Sequence, residues 1–177
     1  MNHSNIKTHP EVARILRVDH AGEKGAIQIY TSQAFIARLF YPDLLAQLQE
    51  MLSHEKEHYN IFDEILKRRK IRSCYSLFLW GLGGSILGTI TGLLGRKAIG
   101  VTTDSVETTV LDHLEWQLEF LRNTDHEVYE AVQSIYSSEL DHRDWGKETG
   151  ATSTIYAPIR WIVSITTSFA IWLSTKL

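Results

Sequence analysis

Cysteine is all but missing from this chain: Cys74 stands alone among 177 residues. That excludes an intramolecular disulfide and a thiolate metal cluster, and it points to a reducing compartment. Proline is scarce too, with three in all, and no long polar run occurs, which argues against disorder. Charge of neither sign is in excess. A net charge of −3 and a pI near 6.2 offer no basic surface, so no nucleic-acid partner is expected. Met1 to Pro10 holds one Lys and no apolar run; neither a secretory signal nor an Arg-rich leader is expected there, which favours a bacterial or processed chain. What is present is a 44% hydrophobic chain long enough for one domain with a real core, taken as residues 1–177.

Charge is missing altogether from Ser73 to Gly95, a run of 23 residues. It is bracketed by Lys67-Arg68-Arg69-Lys70 with Arg72 on one side and by Arg96-Lys97 on the other. The length would permit a membrane span, but six glycines with Ser and Thr make it poorly hydrophobic for that role. The expected structure over residues 73–100 is therefore an apolar crossover, a hairpin or helix pair that packs on the rest and dips into one leaflet. Gly84-x-x-x-Gly88-x-x-x-Gly92 fits a close-packing ridge between helices or a flexible crossover. Trp80, Trp161 and Trp172 fit an interfacial belt or a core equally well.

Elsewhere the spacing is helical. Leu44, Leu48, Met51, Glu55, His58, Phe62 and Ile65 advance in alternating steps of 4 and 3. Val128, Val132, Ile135, Glu139 and His142 repeat the pattern, as do Glu107, Val110, Leu114, Gln117 and Leu121. Val12, Leu16, Asp19, Glu23, Ala26 and Tyr30 form a looser version. Thr8 with Pro10, Tyr41-Pro42-Asp43, Thr102-Thr103-Asp104 and Asn123-Thr124-Asp125 read as helix starts or breaks, and Gly146 to Ser153 as a stop. From about Thr154 a last helix, with Arg160 as its only interior charge, has apolar residues on more than one face, which suits contact with protein and lipid together. The chain is thus expected to be all-α: a four-helix bundle of two hairpins, an apolar crossover hairpin between them, and an additional C-terminal helix.

Ionisable residues interrupt those apolar stripes in a repeated way. Glu55 precedes His58 by three residues and Glu139 precedes His142 by three, while Glu23 and Glu107 each lie 32 residues before those glutamates. Residues three apart share a helix face. Chance gives about 0.6 Glu-x-x-His matches in a chain of this composition, so one match is weak, but two in phase, each preceded at the same offset, are not. Four ionised glutamates in a dry core demand positive charge, and no Lys or Arg occupies those stripes. Glu23, Glu55, His58, Glu107, Glu139 and His142 therefore match the ligand set of a carboxylate-bridged two-metal site in a bundle. Oxygen and imidazole donors suit iron or manganese better than thiolate-rich zinc.

Other residues carry less. Gly22 and Gly25 flank Glu23 and imply either close backbone approach or room for a ligand. Asp19, on the Glu23 stripe, and His20 beside it suit an outer-shell role orienting a ligand histidine, or a capping or surface role. His113 suits a substrate or outer-shell contact, or a satisfied core histidine. His3, His9, His54 and His126 read as surface.

Arg17-Val-Asp-His-Ala-Gly-Glu23-x-Gly-Ala26, Glu55-Lys-Glu-His58, Val106-Glu107 with His113, and Ser138-Glu-Leu-Asp-His142-Arg-Asp together resemble the demethoxyubiquinone hydroxylase family. The resemblance runs from about Arg17 to the C-terminus. It implies a ferritin-like fold and a di-iron, O₂-dependent monooxygenase that hydroxylates a polyprenylated methoxy-benzoquinol in ubiquinone biosynthesis. It assigns the six residues above as ligands of two iron ions and as the catalytic centre, with Glu55 and Glu139 bridging and Glu23 and Glu107 terminal. It also implies an external NADH- or flavin-linked electron donor, a lipid-soluble quinol partner, further ubiquinone-biosynthesis proteins, and a peripheral place on the cytoplasmic face of a bacterial inner membrane or the matrix face of the mitochondrial one. Two departures stand out: His113-Leu114 replaces a His-Tyr pair common in the family, and Lys24 replaces another residue. The rival expectation is a ferritin- or rubrerythrin-like iron-binding protein.

Overall fold

The computed structural model describes residues 8–150 and 154–176, and among these every regular element is helical. Helix α1 spans Pro10–Phe40, α2 Leu45–Arg68, α3 Leu77–Leu94, α4 Arg96–Leu121, α5 His126–Gly150 and α6 Ala157–Ser174. Short 3₁₀ turns at Pro42–Leu44 and Thr154–Tyr156 lead into α2 and α6. Pairs α1–α2 and α4–α5 are the two hairpins of a ferritin-like bundle, with α3 laid along α1 and α6 along α4.

Several boundaries differ from the sequence expectation, each for a local reason. The cap of α1 is His9, whose Nδ1 accepts from the Glu11 amide at 3.2 Å; Thr8 plays no such part. Helix α4 begins at Arg96, well before Thr102-Thr103-Asp104. Gly95, at φ 105°, turns the chain out of α3, a conformation glycine adopts without steric cost. The hydroxyls of Thr102 and Ser105 then bond back to the carbonyls of Ala98 and Val101 inside the helix. Asp125 does cap α5, accepting from the Val128 amide at 3.2 Å. That helix runs through Gly146 to Gly150, and the remainder of the expected stop, 151–153, lies outside the described residues, as does His3. The crossover is one continuous helix, α3, up to the turn at Gly95, with no hairpin inside it, because Gly84, Gly88 and Gly92 pack against α1 and do not break the helix. A Cβ on Gly84 or Gly88 would collide with the carbonyl oxygens of Gly25 and Ile29.

Close approach also joins α4 to α5, where a Cβ on Gly146 would meet the Asp104 backbone. Two apolar clusters fill the bundle. One gathers Val12, Leu16, Phe62, Leu121, Val128 and Ile135; the other gathers Ala26, Tyr30, Leu48, Met51 and Ile99. Each fully buried Leu, Ile or Phe contributes on the order of 2 kcal/mol. Between the clusters in register, on all four bundle helices, lies a buried layer of charge-bearing residues.

The outer helices behave differently. Phe78, Leu79, Ile86, Ile90, Leu93 and Leu94 on α3 are exposed, as are Trp161, Ile162, Ile165, Phe169 and Trp172 on α6. Trp80 departs from that belt: its indole packs against Gly25 and its Nε1 donates to Ser174 Oγ at 2.7 Å, tying α3 to the end of α6. Arg160 anchors the start of α6 through an ion pair with buried Asp104. By length and composition α3 can cross a membrane, with mean hydropathy 1.6 over 18 residues and 22% of that window buried.

Candidate metal centre

Helix periodicity alone turns the six charge-bearing side chains inward: they occupy the same stripe positions as the core residues before and after them. All six are buried, from Glu55 and Glu139 at 1% exposure to Glu23 at 7%. Their donor atoms form two groups, Glu23, Glu55, His58 and Glu139, and Glu55, Glu107, Glu139 and His142, with the atoms of each group within 4.8 Å of one another. Glu55 and Glu139 belong to both. Glu139 turns Oε1 to His58 Nδ1 at 3.1 Å and Oε2 to His142 Nδ1 at 3.3 Å. Glu55 turns Oε1 to His142 Nδ1 at 3.1 Å and Oε2 to His58 Nδ1 at 3.9 Å. Glu23 approaches His58 alone, at 3.6 Å.

These close pairs do not satisfy one another. Glu23 Oε2, Glu55 Oε1, Glu139 Oε2 and both Nδ1 atoms are buried without an aligned hydrogen-bond partner among the described residues. An unmet buried polar atom costs about 1–3 kcal/mol, more when charged, so five pointing into one space mark a place for a cation. Electrostatics lead to the same reading. Glu23, Glu55 and Glu107 are pushed well above the usual carboxylate range, by burial first and then by the charge of Glu139. Burial pushes Glu139 up as well, but His142 and His58 outweigh it and bring it to about 2. Burial disfavours a charged His142, yet Glu139 and Glu55 raise it to about 11. Without a cation, only protons on these carboxyls and imidazoles can offset the charge, and the upward shifts of Glu23, Glu55, Glu107, His58 and His142 have that sense. Two hard or borderline cations would displace them, and the oxygen-rich, imidazole-containing donor set fits iron or manganese.

The surroundings hold the donors in place. Tyr30, buried at 1% exposure, donates from its hydroxyl to Glu107 Oε1 at 2.5 Å. Ser138 Oγ lies 2.9 Å from His58 Nε2 and donates its own hydrogen to the Ile135 carbonyl. His54 Nδ1 lies 3.1 Å from His142 Nε2. Sequence reasoning assigned none of these roles. Tyr30 had a signal, since it falls on the Glu23 stripe; His54, read as surface, had none.

Asp19 does not orient a ligand histidine. Its Oδ1 accepts from Gln117 Nε2 at 2.8 Å, and burial raises its carboxyl to about 7 against that bond. His20 stacks on Tyr59 at 4.2 Å and sits 3.6 Å from Asp63, away from the centre.

A cavity of about 520 Å³ opens from the centre toward the outer helices. Glu23, Glu55, Glu107 and Glu139 border its inner end, and Leu79, Leu87, Ile90, Ile162 and Phe169 line its path between α3 and α6. Gly22 contributes open space there, with nothing within 4 Å of where a Cβ would sit. His113 and Leu114 also line it. Burial lowers His113 to about 4, so its ring is neutral, and Trp116 Nε1 donates to its Nδ1 at 3.1 Å.

A family model described as "Ubiquinone biosynthesis protein COQ7" matches residues 10–174. The chain is 35% identical over 170 residues to the "NADPH-dependent 3-demethoxyubiquinone 3-hydroxylase, mitochondrial" of Dictyostelium discoideum, covering 93% of this chain and 77% of that protein. It is 34% identical over 171 residues to the human protein of the same description, covering 94% and 78%. The "3-demethoxyubiquinol 3-hydroxylase" of Rhodospirillum rubrum is 31% identical over 166 residues, covering 93% and 78%.

Proposed function

The chain belongs to the COQ7 family of ubiquinone biosynthesis proteins, and from that membership we propose that it is an enzyme hydroxylating the ring of a demethoxyubiquinol, a polyprenylated methoxy-benzoquinol. The observation that carries the catalytic part is the set of five orphaned donor atoms at the inner end of an apolar cavity. We propose Glu23, Glu55, His58 and Glu139 as the ligands of one iron, and Glu55, Glu107, Glu139 and His142 as those of the other. Iron bound there would supply activation of O₂; the chain's own residues do the rest.

Glu55 and Glu139, which each turn one oxygen toward His58 and the other toward His142, would contribute to both metal sites. Tyr30 occupies one oxygen of Glu107 and leaves the other free to bind. The neutral ring of His113, fixed by Trp116 at Nδ1, keeps its hydrogen on Nε2 and can donate to a ring oxygen of the quinol. The cavity excludes water from the reacting carbon. A substrate with an isoprenoid tail partitions into lipid, and the apolar face of α3 and α6 brings the cavity mouth to the bilayer. We place the protein peripherally on a membrane by that face, with residues 73–100 as the contacting segment. Reducing equivalents come from an external nicotinamide-linked donor, in line with the NADPH dependence in the relatives' descriptions.

The test is expression in cells that lack the ring hydroxylase. The accumulated demethoxyquinone should fall and the hydroxylated product appear, and neither should happen with Glu139→Ala. Persistence of the demethoxyquinone despite folded, iron-loaded protein would refute the assignment. Loading with many irons per chain would support the storage reading instead.

A further inference from the structure

We propose that His54 is a positioning residue for one metal of the pair, acting through His142. The inference rests on the metal-centre reading above. His142 directs Nδ1 at Glu55 and Glu139, at 3.1 and 3.3 Å, so Nδ1 is its ligand atom. A neutral imidazole carries one hydrogen, and a ligand nitrogen must be bare. The hydrogen of His142 therefore sits on Nε2 and needs an acceptor. His54 Nδ1 is 3.1 Å away, and the two rings are parallel within 8° at a centroid separation of 5.3 Å. His54 accepts at Nδ1 and keeps its own hydrogen on Nε2.

The other ligand histidine is served differently. His58 Nε2 faces Ser138 Oγ at 2.9 Å, and that hydroxyl spends its hydrogen on the Ile135 carbonyl at 2.8 Å, so it accepts from His58. Both acceptors are supplied across the bundle interface: Ser138 on α5 holds a ligand of α2, and His54 on α2 holds a ligand of α5. Each metal thus has its own orienting group, and loss of one should weaken one binding step selectively. Partners of this kind are worth roughly 10–100-fold in metal affinity.

The experiment is Co(II) titration of the metal-free full chain, followed by visible absorption and calorimetry. Wild type should show two binding steps per chain. His54→Leu, which removes the acceptor at similar bulk, should weaken one step by roughly 10–100-fold and change its cobalt absorption band, with the other step, coupled to it through Glu55 and Glu139, moving less. His54→Asn, which presents an oxygen where Nδ1 stood, should restore most of the affinity. Ser138→Ala should weaken the other step. Two unchanged steps in His54→Leu overturn this inference and leave the metal centre standing. Equal loss in the Leu and Asn variants overturns it too, by assigning the effect to packing. No cobalt uptake by the wild type overturns the metal centre itself, and this inference with it.

Discussion

Glu55 is 1% exposed and Phe78 is 76% exposed; in most folded chains those figures would be exchanged. The two residues represent two regions that break the usual sorting in opposite directions. At the centre, six ionisable groups are packed between apolar clusters with donor atoms left unmet. On α3 and α6, aromatic and aliphatic side chains face outward along the length of both helices. Neither region is complete as protein alone. The first fits cations and the second an apolar surface, and under the proposed function the cavity that joins them would deliver a lipid-soluble ring to a metal pair.

Removing a centre residue should have the largest effect. Glu139→Ala or His142→Ala should lower hydroxylation by a thousandfold or more, by an order-of-magnitude estimate for a lost metal, with helix content unchanged by circular dichroism. Retained turnover would separate the centre from the reaction.

Acidity should act next, and most strongly without metal. Asp19 holds its proton up to about 7 in the fold, against an ordinary 3.8. A raised acid loses folding stability as pH climbs between those values and loses no more above them. Glu23, Glu55 and Glu107 share that sign. His142, raised from 6.5 to about 11, adds stability that fades as pH rises between those values. His113, lowered to about 4, has the opposite sign below its ordinary 6.5, so metal-free protein should melt lower near pH 8.5 than near pH 6.5, by several degrees, on the order expected for a few kcal/mol, while metal-loaded protein keeps only the small Asp19 part of that slope. Asp19→Asn, which keeps an acceptor for Gln117, should flatten part of the slope. A metal-free melting profile that rises over this range would contradict the electrostatics described.

The outer face can be broken without touching the centre. Phe78→Glu with Trp161→Glu puts charge on both helices and should cut liposome binding by roughly a hundredfold, from about 2 kcal/mol or less per lost side chain. Unchanged flotation with vesicles would rule out this contact surface. Leu93 is a better further site than Ile86 or Leu87, because both of those line the cavity and Leu87 also packs against the Ile29, Val106 and Val163 cluster.

Tyr30→Phe should have the smallest effect. It deletes one hydrogen bond to Glu107, worth roughly 1.5–3 kcal/mol to a charged acceptor, and should lower iron affinity by about tenfold or more. Unaltered iron binding would mean that Glu107 is held by its helix alone.

The helical stripes were legible in the chain because alternating steps of three and four repeat along four segments, and the buried layer because glutamate and histidine replace leucine and valine in that register. Helix ends were less so. Thr102, Thr103 and Asp104 resemble caps, but the α4–α5 approach at Gly100, Gly146 and Gly150 carries the helix past them. The crossover read as a hairpin or helix pair because its glycines made it poorly hydrophobic for a span; the same glycines fit one helix against α1. His54 and Ser138 were invisible because their partners lie on another helix, and the relative rotation of packed helices is not encoded in one segment's spacing. Leu114 belongs to the core and the cavity wall at once. The phenol that the family resemblance implies there is absent, and Tyr30 is the phenol hydrogen-bonded to the centre among the described residues.

Anaerobic reconstitution with Fe(II), followed by iron analysis and Mössbauer spectroscopy after brief exposure to O₂, tests the central claim most directly. The account predicts two irons per chain forming one coupled pair, lost when Glu55 or Glu139 is replaced by alanine. A single isolated iron, a large mineral-like load, or full binding in those variants would contradict it.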